Sequence, residues 1–80
     1  MLGPLEAIDP RDAGAIDIGR HGLVVEQGDR RGLLLPQVAP EWGWGREEFL
    51  AQTCKKAGLP PDAWKRGATV YRFGADVFGD

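Results

Sequence analysis

The 80-residue chain contains one cysteine, one histidine and no long apolar run, and each shortage excludes a class of protein. One cysteine cannot build a disulfide framework, and zinc sites usually draw several cysteine or histidine ligands. No stretch reaches the roughly 18 apolar residues of a membrane-spanning helix, and no basic segment before an apolar one marks a signal peptide. The sequence therefore predicts a cytoplasmic protein with no metal site and no membrane association.

An excess of positive charge is also missing. Ten Lys and Arg face twelve Asp and Glu, which gives a net charge of −2 at pH 7. Such a balance offers little general attraction to a phosphate backbone, so nucleic-acid binding is not expected. A chain of this length forms one domain at most, and it buries only about 60% of its unfolded surface, so we expect marginal stability.

The first half of the sequence predicts strands. Residues 1–14 are rich in Gly, Pro and Asp and read as an extended lead-in or loop, while residues 15–18 suggest a short strand. Residues 21–27 are rich in β-branched and apolar side chains, and Gly28-Asp29 supplies a turn before the chain returns. We therefore predict a hairpin.

The return strand of this hairpin contains three successive leucines, Leu33 to Leu35, followed by Pro36. Three apolar residues in a row place side chains on both faces of a sheet, so the pattern predicts a central strand that is covered on both sides. Residues 69–78 alternate apolar and polar side chains, which predicts a closing, half-buried strand.

Residues 46–57 predict an amphipathic helix with defined ends. Gly45 is a tolerable N-cap, and Gly58 stands at the C′ position just after the helix, where glycine is common. Residues 60–64 predict one short helical turn that starts with proline and is held by Trp64. The expected buried stripe of the helix is Phe49, Leu50, Thr53, Cys54 and Ala57. The fold class is α+β, with a mainly antiparallel sheet packed against this helix and the short turn.

Long ordered strings in this sequence resemble a known family. GRHGL, GLLLPQVA, REEFL, TCKKAGLP and DAW are similar to the C-terminal half of the AMMECR domain, whose prokaryotic members are called AmmeMemoRadiSam system protein A. The similarity runs from about Leu2 to Phe78. It implies that residues 15–80 form the C-terminal portion of a larger, cytoplasmic or nuclear domain of two α+β subdomains, whose biochemical activity is not settled.

The sequence departs from the family pattern in its motif content. The family's N-terminal half carries an LRGCIG-type motif proposed to line a cleft, and Arg-Gly-Cys occurs nowhere in these residues. An activity that depends on this motif is therefore not expected from the chain alone. Loss of the neighbouring half would leave an unpaired sheet edge and exposed apolar side chains, so we also expect self-association.

Three residues are weak candidates for catalysis. His21 stands at the start of an apolar strand, where a lone histidine is more often a hydrogen-bonded structural residue than an acid or base, although a role in acid–base catalysis stays open. Cys54 lies on the predicted buried stripe, where an apolar setting suppresses the thiolate. A Cys54–His21 dyad would need a hydrogen bond that sequence cannot show. Glu41, beside Trp42, lacks an opposing carboxylate and is more often a loop acceptor.

The segment 37–45, QVAPEWGWG, holds most of the binding candidates, because it joins a strand to a helix N-terminus. Gln37 and Glu41 are its polar residues. Trp42 and Trp44 could line a pocket, although aromatic residues two apart more often close a small core. Arginines around the hairpin could clamp an anion or simply face water: Arg20, Arg30 and Arg31.

Two functions of different class fit these features. In the first, the chain is an accessory or catalytic component that acts with radical-SAM and Memo-like proteins in a modification pathway, as the resemblance implies, with Arg20, His21, Gln37, Glu41 and Trp42 facing a cleft. In the second, it is a non-catalytic interaction module that uses its tryptophans, since Trp and Arg dominate interface hot spots. The sequence leaves the cofactor unknown and does not decide whether the protein is an enzyme.

Overall fold

A computed structural model describes residues 5–12 and 14–74 of the chain. Within these ranges, four strands, two helices and one 3₁₀ turn follow one another. In chain order they are β1 (Glu6–Ile8), β2 (His21–Gln27), β3 (Arg30–Leu34), α1 (Val38–Trp42), α2 (Arg46–Lys56), the 3₁₀ turn (Ala63–Lys65) and β4 (Thr69–Gly74). The predicted α+β class is confirmed.

The four strands form one antiparallel sheet in the order β1-β4-β2-β3. The predicted hairpin is confirmed: Gln27 pairs with Arg30, and Gly28 and Asp29 form the two-residue connection. Gly28 has a φ of 61° and Asp29 a negative φ, which is the combination a type II′ turn requires. The last strand, β4, lies between the first two strands, so the sheet depends on pairing between distant parts of the chain.

Helix α2 lies across one face of the sheet, as predicted. Its buried stripe contacts Leu23 and Val25 of β2 and Val70 of β4. Thr53, the buried polar residue of the stripe, donates its hydroxyl to the Phe49 carbonyl at 2.7 Å. The stripe is therefore apolar apart from Thr53, whose hydroxyl finds its hydrogen-bond acceptor within the helix itself.

The end of α2 follows the capping prediction. Gly58 has a φ of 79°, its N–H donates to the Lys55 carbonyl, and the Leu59 N–H donates to the Cys54 carbonyl at 2.9 Å. These two bonds are those of a Schellman motif, which satisfies carbonyls that the helix leaves open. Leu59 thereby returns to the core.

Within the predicted extended lead-in, residues 1–14, the three residues of β1 pair with β4. The prediction of a strand over residues 15–18 is wrong. Residues 15–18 form no strand: Ala15 and Ile16 enter the core, and a turn begins at Asp17. The reason is that the Asp17 carbonyl accepts hydrogen bonds from the backbone N–H groups of Arg20 and His21, which bends the chain before β2.

The leucine triplet does not form a central strand. It ends β3, an edge strand of the described sheet, and only Leu34 packs against the core, while Leu33 and Leu35 are each 38% exposed. The three successive leucines wrongly predicted a central strand, because β4, rather than β3, occupies the middle of the sheet beside β2. The central strands are the ones covered on both sides: Val70 and Phe73, on opposite faces of β4, are both buried.

Two further expectations need correction or restriction. Segment 37–45 is not entirely a loop, because α1 forms within it. The closing strand extends from Thr69 to Gly74, and its predicted continuation over 75–78 lies outside the described residues. The 3₁₀ turn at 63–65 confirms the predicted helical turn, and Trp64 is buried there.

Candidate functional site

The most exposed aromatic side chain of the described residues lies on α1. Trp42 is 71% exposed, and its ring stacks on Trp44 with centroids 6.3 Å apart and planes 17° apart. Trp44 in turn contacts Phe49 of the core, at a centroid distance of 6.5 Å. We call the group formed by Gln37, Glu41, Trp42 and Trp44 the α1 surface.

Backbone geometry at the end of α1 separates the two tryptophans. Gly43 takes a left-handed φ of 71°, and the Trp44 N–H donates to the Ala39 carbonyl at 2.9 Å. This turn reverses the chain, so Trp44 folds towards the core while Trp42 stays on the outside. The two predicted roles of these tryptophans are therefore divided between them: Trp44 closes the core and Trp42 faces outward.

The turn from Asp17 to His21 lies beside α1. A Cβ placed on Gly19 would lie 3.8 Å from Cγ of Pro40, so the two segments are in contact. The structure thus places the backbone next to Arg20 beside Pro40 of α1. Arg20 is exposed, with its guanidinium 3.9 Å from the Asp17 carboxylate.

His21 has a defined tautomer when neutral. The Asp17 backbone N–H donates to Nδ1 at 3.1 Å, and an amide can only donate, so Nδ1 is the acceptor. The neutral ring must then carry its proton on Nε2. His21 consequently closes the Asp17–His21 turn through Nδ1 and can donate a hydrogen bond from Nε2.

Cys54 lies in the core and is not part of the α1 surface. Its side chain is fully buried, and burial raises the pKa of the thiol, although the neighbouring amides of Trp64 and Ala63 partly oppose that effect. A buried neutral thiol is a poor nucleophile. The described residues contain no hydrogen bond between Cys54 and His21. The thiol lies beside the backbone of Ala63 and Trp64, and Nδ1 of His21 accepts the Asp17 N–H.

The remaining arginines of the prediction are dispersed. Arg30 lies on the edge strand β3 and donates to the Gly58 carbonyl at 3.5 Å, and Arg31 is exposed beside it. Arg20 instead belongs to the turn before β2. These positions tie Arg30 to the end of α2 rather than to the α1 surface.

Residues 1–78 match the family described as AMMECR1. The chain belongs to the AMMECR1 family. Among its relatives, a protein of Thermococcus gammatolerans is 58% identical over 76 residues, which cover 94% of this chain and 37% of the relative. Protein TK0174 of Thermococcus kodakarensis is 55% identical over 82 residues, covering 98% and 40% of the two chains.

A solved structure also matches this chain over part of its own length. The crystal structure of uncharacterized protein PH0010 from Pyrococcus horikoshii superposes with a TM-score of 0.85 at 55% identity, over 91% of this chain and 38% of that one. The AMMECR1-family chain therefore spans well under half the length of these relatives.

The AMMECR1-family fold also places together charged residues that the sequence did not single out. Arg11, Arg46 and Lys65 line one cavity with Trp64. They come from the segment after β1, the start of α2 and the 3₁₀ turn, so no local spacing could have indicated that they meet. The polar face of α2 was the sole signal, and it pointed to Arg46 without its neighbours.

Residues 5–12 and 14–74 hold no group of three or more His, Cys, Asp or Glu side chains arranged to bind a metal ion. Within these ranges, no helix combines the length and the apolar character that crossing a bilayer would take.

Proposed function

We propose that this AMMECR1-family chain is an accessory protein that acts by binding, and that the α1 surface docks onto a partner protein with Trp42 at its centre. The observation that carries the proposal is the 71% exposure of Trp42 on a rigid support, the Trp44 ring stacked beneath it. Exposed tryptophans are costly to leave in water, and they are enriched among the residues that dominate interfaces.

The partners we propose are radical-SAM and Memo-like proteins, which the family resemblance implies. Such a partner would supply an apolar pocket for the indole and polar groups for the rim, where Gln37 and Glu41 are exposed. A tryptophan already held by stacking loses little conformational freedom on binding, which favours it as a contact residue.

A catalytic role receives less support from the same geometry. It would rest on His21, Glu41 and Cys54, yet the thiol is buried and the Nδ1 atom of His21 accepts a bond from Asp17. Glu41 is exposed and forms no ion pair within the described residues. The groups do not form a nucleophile–base pair, so binding is the better-supported function.

The test compares the affinity of the wild-type chain with that of Trp42→Ala. The dissociation constants for the radical-SAM and Memo-like proteins of the same organism are measured by surface plasmon resonance. We expect Trp42→Ala to weaken binding by about 30-fold or more, because truncation of a central interface tryptophan typically costs at least about 2 kcal/mol. Its stability to urea should stay within about 0.5 kcal/mol of wild type, because the side chain is exposed.

Lys56→Ala is the matched control, since Lys56 is exposed at the far end of α2. Its affinity should equal that of wild type. Equal affinities of the Trp42→Ala variant and wild type would contradict docking through the α1 surface, and absence of binding to either class of protein would contradict the proposed partners.

A further inference from the structure

Three cationic side chains from separate segments line one cavity beside the first turn of α2. Arg11, Arg46 and Lys65 surround a space of about 340 Å³, together with Trp64 and Glu47. Three positive charges against one negative charge leave the lining with an excess of two positive charges. The volume lies at the small end of the range for ligand pockets, about 300–1,000 Å³.

Backbone carbonyls hold the two guanidinium groups in place. Arg46 donates from Nη1 to the Pro10 carbonyl at 2.7 Å, and Arg11 donates from Nη2 to the Lys65 carbonyl at 3.3 Å. Neither bond neutralises a charge. Within the described ranges, none of the three cations forms an ion pair with a carboxylate. Each arginine therefore keeps further N–H donors for a ligand.

Lys65 is also positioned by the cavity wall. Its ammonium lies 5.0 Å from the centroid of the Trp64 ring, a distance typical of a cation–π contact. Since Trp64 is buried in the core cluster, this contact ties the lysine side chain to a rigid part of the fold. The cation–π contact and the two hydrogen bonds to carbonyls therefore orient the three cations towards the same space.

We propose that this cavity binds a small phosphate monoester. A phosphate monoester carries a charge of about −1.5 to −2 near neutral pH, which matches the excess of two positive charges better than a single carboxylate would. Guanidinium groups offer paired N–H donors to phosphate oxygens, and lysine adds a point charge. The site is separate from the α1 surface and does not depend on the proposed docking.

A neighbouring groove restricts the ligand to one phosphate group. Glu47, Glu48 and Asp62 line this groove, which shares Glu47, Trp64 and Lys65 with the cationic cavity. A second phosphate that extended into it would meet carboxylates of the same sign. A nucleic-acid backbone is therefore disfavoured, in agreement with the net charge of −2 of the whole chain.

The test is a titration of the chain with methyl phosphate at constant ionic strength, followed by NMR at the backbone amides of residues 11, 46 and 65 and at the Trp64 indole. Lys65→Gln should weaken binding by about tenfold, the value of one charge-assisted hydrogen bond. Lys55→Gln, at the other end of α2, is the matched control and should bind like wild type. Glu47→Gln should bind more tightly, because it removes the one opposing charge.

Several outcomes would overturn the proposal. An equal loss in the Lys55 and Lys65 variants would mean that only overall charge matters, and weaker binding by Glu47→Gln would contradict the electrostatic argument. Acetate that binds as well as methyl phosphate would exclude phosphate selectivity. A thymidine oligonucleotide that binds more tightly than methyl phosphate would assign the site to nucleic acid instead, and no shift at any of these signals would exclude the site.

Discussion

Trp42 and Trp44 stand two residues apart and have opposite environments because of the glycine between them. The left-handed Gly43 lets the chain turn back, so one indole joins Phe49 in the core and the other stacks on it from outside. A residue with a Cβ at position 43 would be strained in this conformation. The position of the proposed binding residue thus depends on a single backbone angle.

Cys54 makes a prediction about pH at this scale. Burial raises the pKa of its thiol in the folded state, so the folded chain holds this proton more tightly than the unfolded chain does. The resulting stabilisation is fully present below the unfolded-state pKa, about 8.5, and is lost as pH rises through the higher folded-state pKa. Unfolding free energies of wild type and Cys54→Ala, measured in urea from neutral to alkaline pH, should converge as pH rises.

Alkylation provides the control for this prediction. Iodoacetamide should leave Cys54 unmodified in the folded protein and modify it in urea, because the buried thiol meets neither water nor reagent. Rapid labelling without denaturant, or a difference in stability between the two proteins that does not vary with pH, would contradict a raised thiol pKa.

At the level of elements, β3 and α2 approach each other closely at one glycine. A Cβ at Gly32 would lie 2.8 Å from the Cα atom of Ala57, a backbone atom that cannot move alone. Gly32→Ala should therefore reduce the free energy of unfolding by about 1–3 kcal/mol, as overpacking usually does. Chemical denaturation with circular dichroism measures this change.

Gly74→Ala is the matched control for the glycine test. Gly74 lies in β4, and a Cβ there would meet no heavy atom of the described residues within 4 Å. This substitution should leave stability unchanged or raise it slightly, because alanine restricts the unfolded chain more than glycine does. Equal losses in the two variants would show that the contact between β3 and α2 does not limit packing.

Elements with strong local signals were predictable from the sequence, and the others were not. The apolar stripe of α2, the Gly58 cap and the Gly28-Asp29 turn are local patterns, and each appears where it was predicted. Strand β1 has three residues, too few for a pattern to establish itself. Helix α1 has five residues and no side-chain cap, so nothing distinguished it from a loop.

Across the whole molecule, the order of the strands was the part that local patterns could not predict. The leucine triplet indicated burial, but burial of both faces belongs to β2 and β4, because β4 pairs with β1 as well as β2. The candidate site followed the same rule. Sequence reasoning proposed the residues of segment 37–45, whereas the cavity of Arg11, Arg46 and Lys65 depends on contacts between distant segments.

Self-association is the prediction that belongs to the whole molecule. Leu33 is 38% exposed and points away from α2, because its neighbour Leu34 packs against the core. We expect light scattering to show a mass that rises with concentration, and Leu33→Asp to shift it towards the monomer, since a charge opposes apolar contact. Arg30 and Arg31 line the β3 edge and disfavour direct strand pairing there.

Lys56→Gln is a suitable control for this measurement, because Lys56 is exposed on α2 and its replacement adds no apolar surface. It should associate like wild type. A constant monomer mass at every concentration would contradict the expected association, and an unchanged assembly in Leu33→Asp would exclude the exposed leucine as its cause.

The position of β4 between β1 and β2 has a consequence for synthesis in the cell. The β2–β3 hairpin and α2 can form as soon as they leave the ribosome, since their contacts are local. The sheet cannot close until Thr69–Gly74 has also emerged, because this strand joins the two outer parts of the sheet. Until then the nascent chain carries an open gap with unpaired amides on both sides, so completion of folding must follow, rather than accompany, translation of these residues.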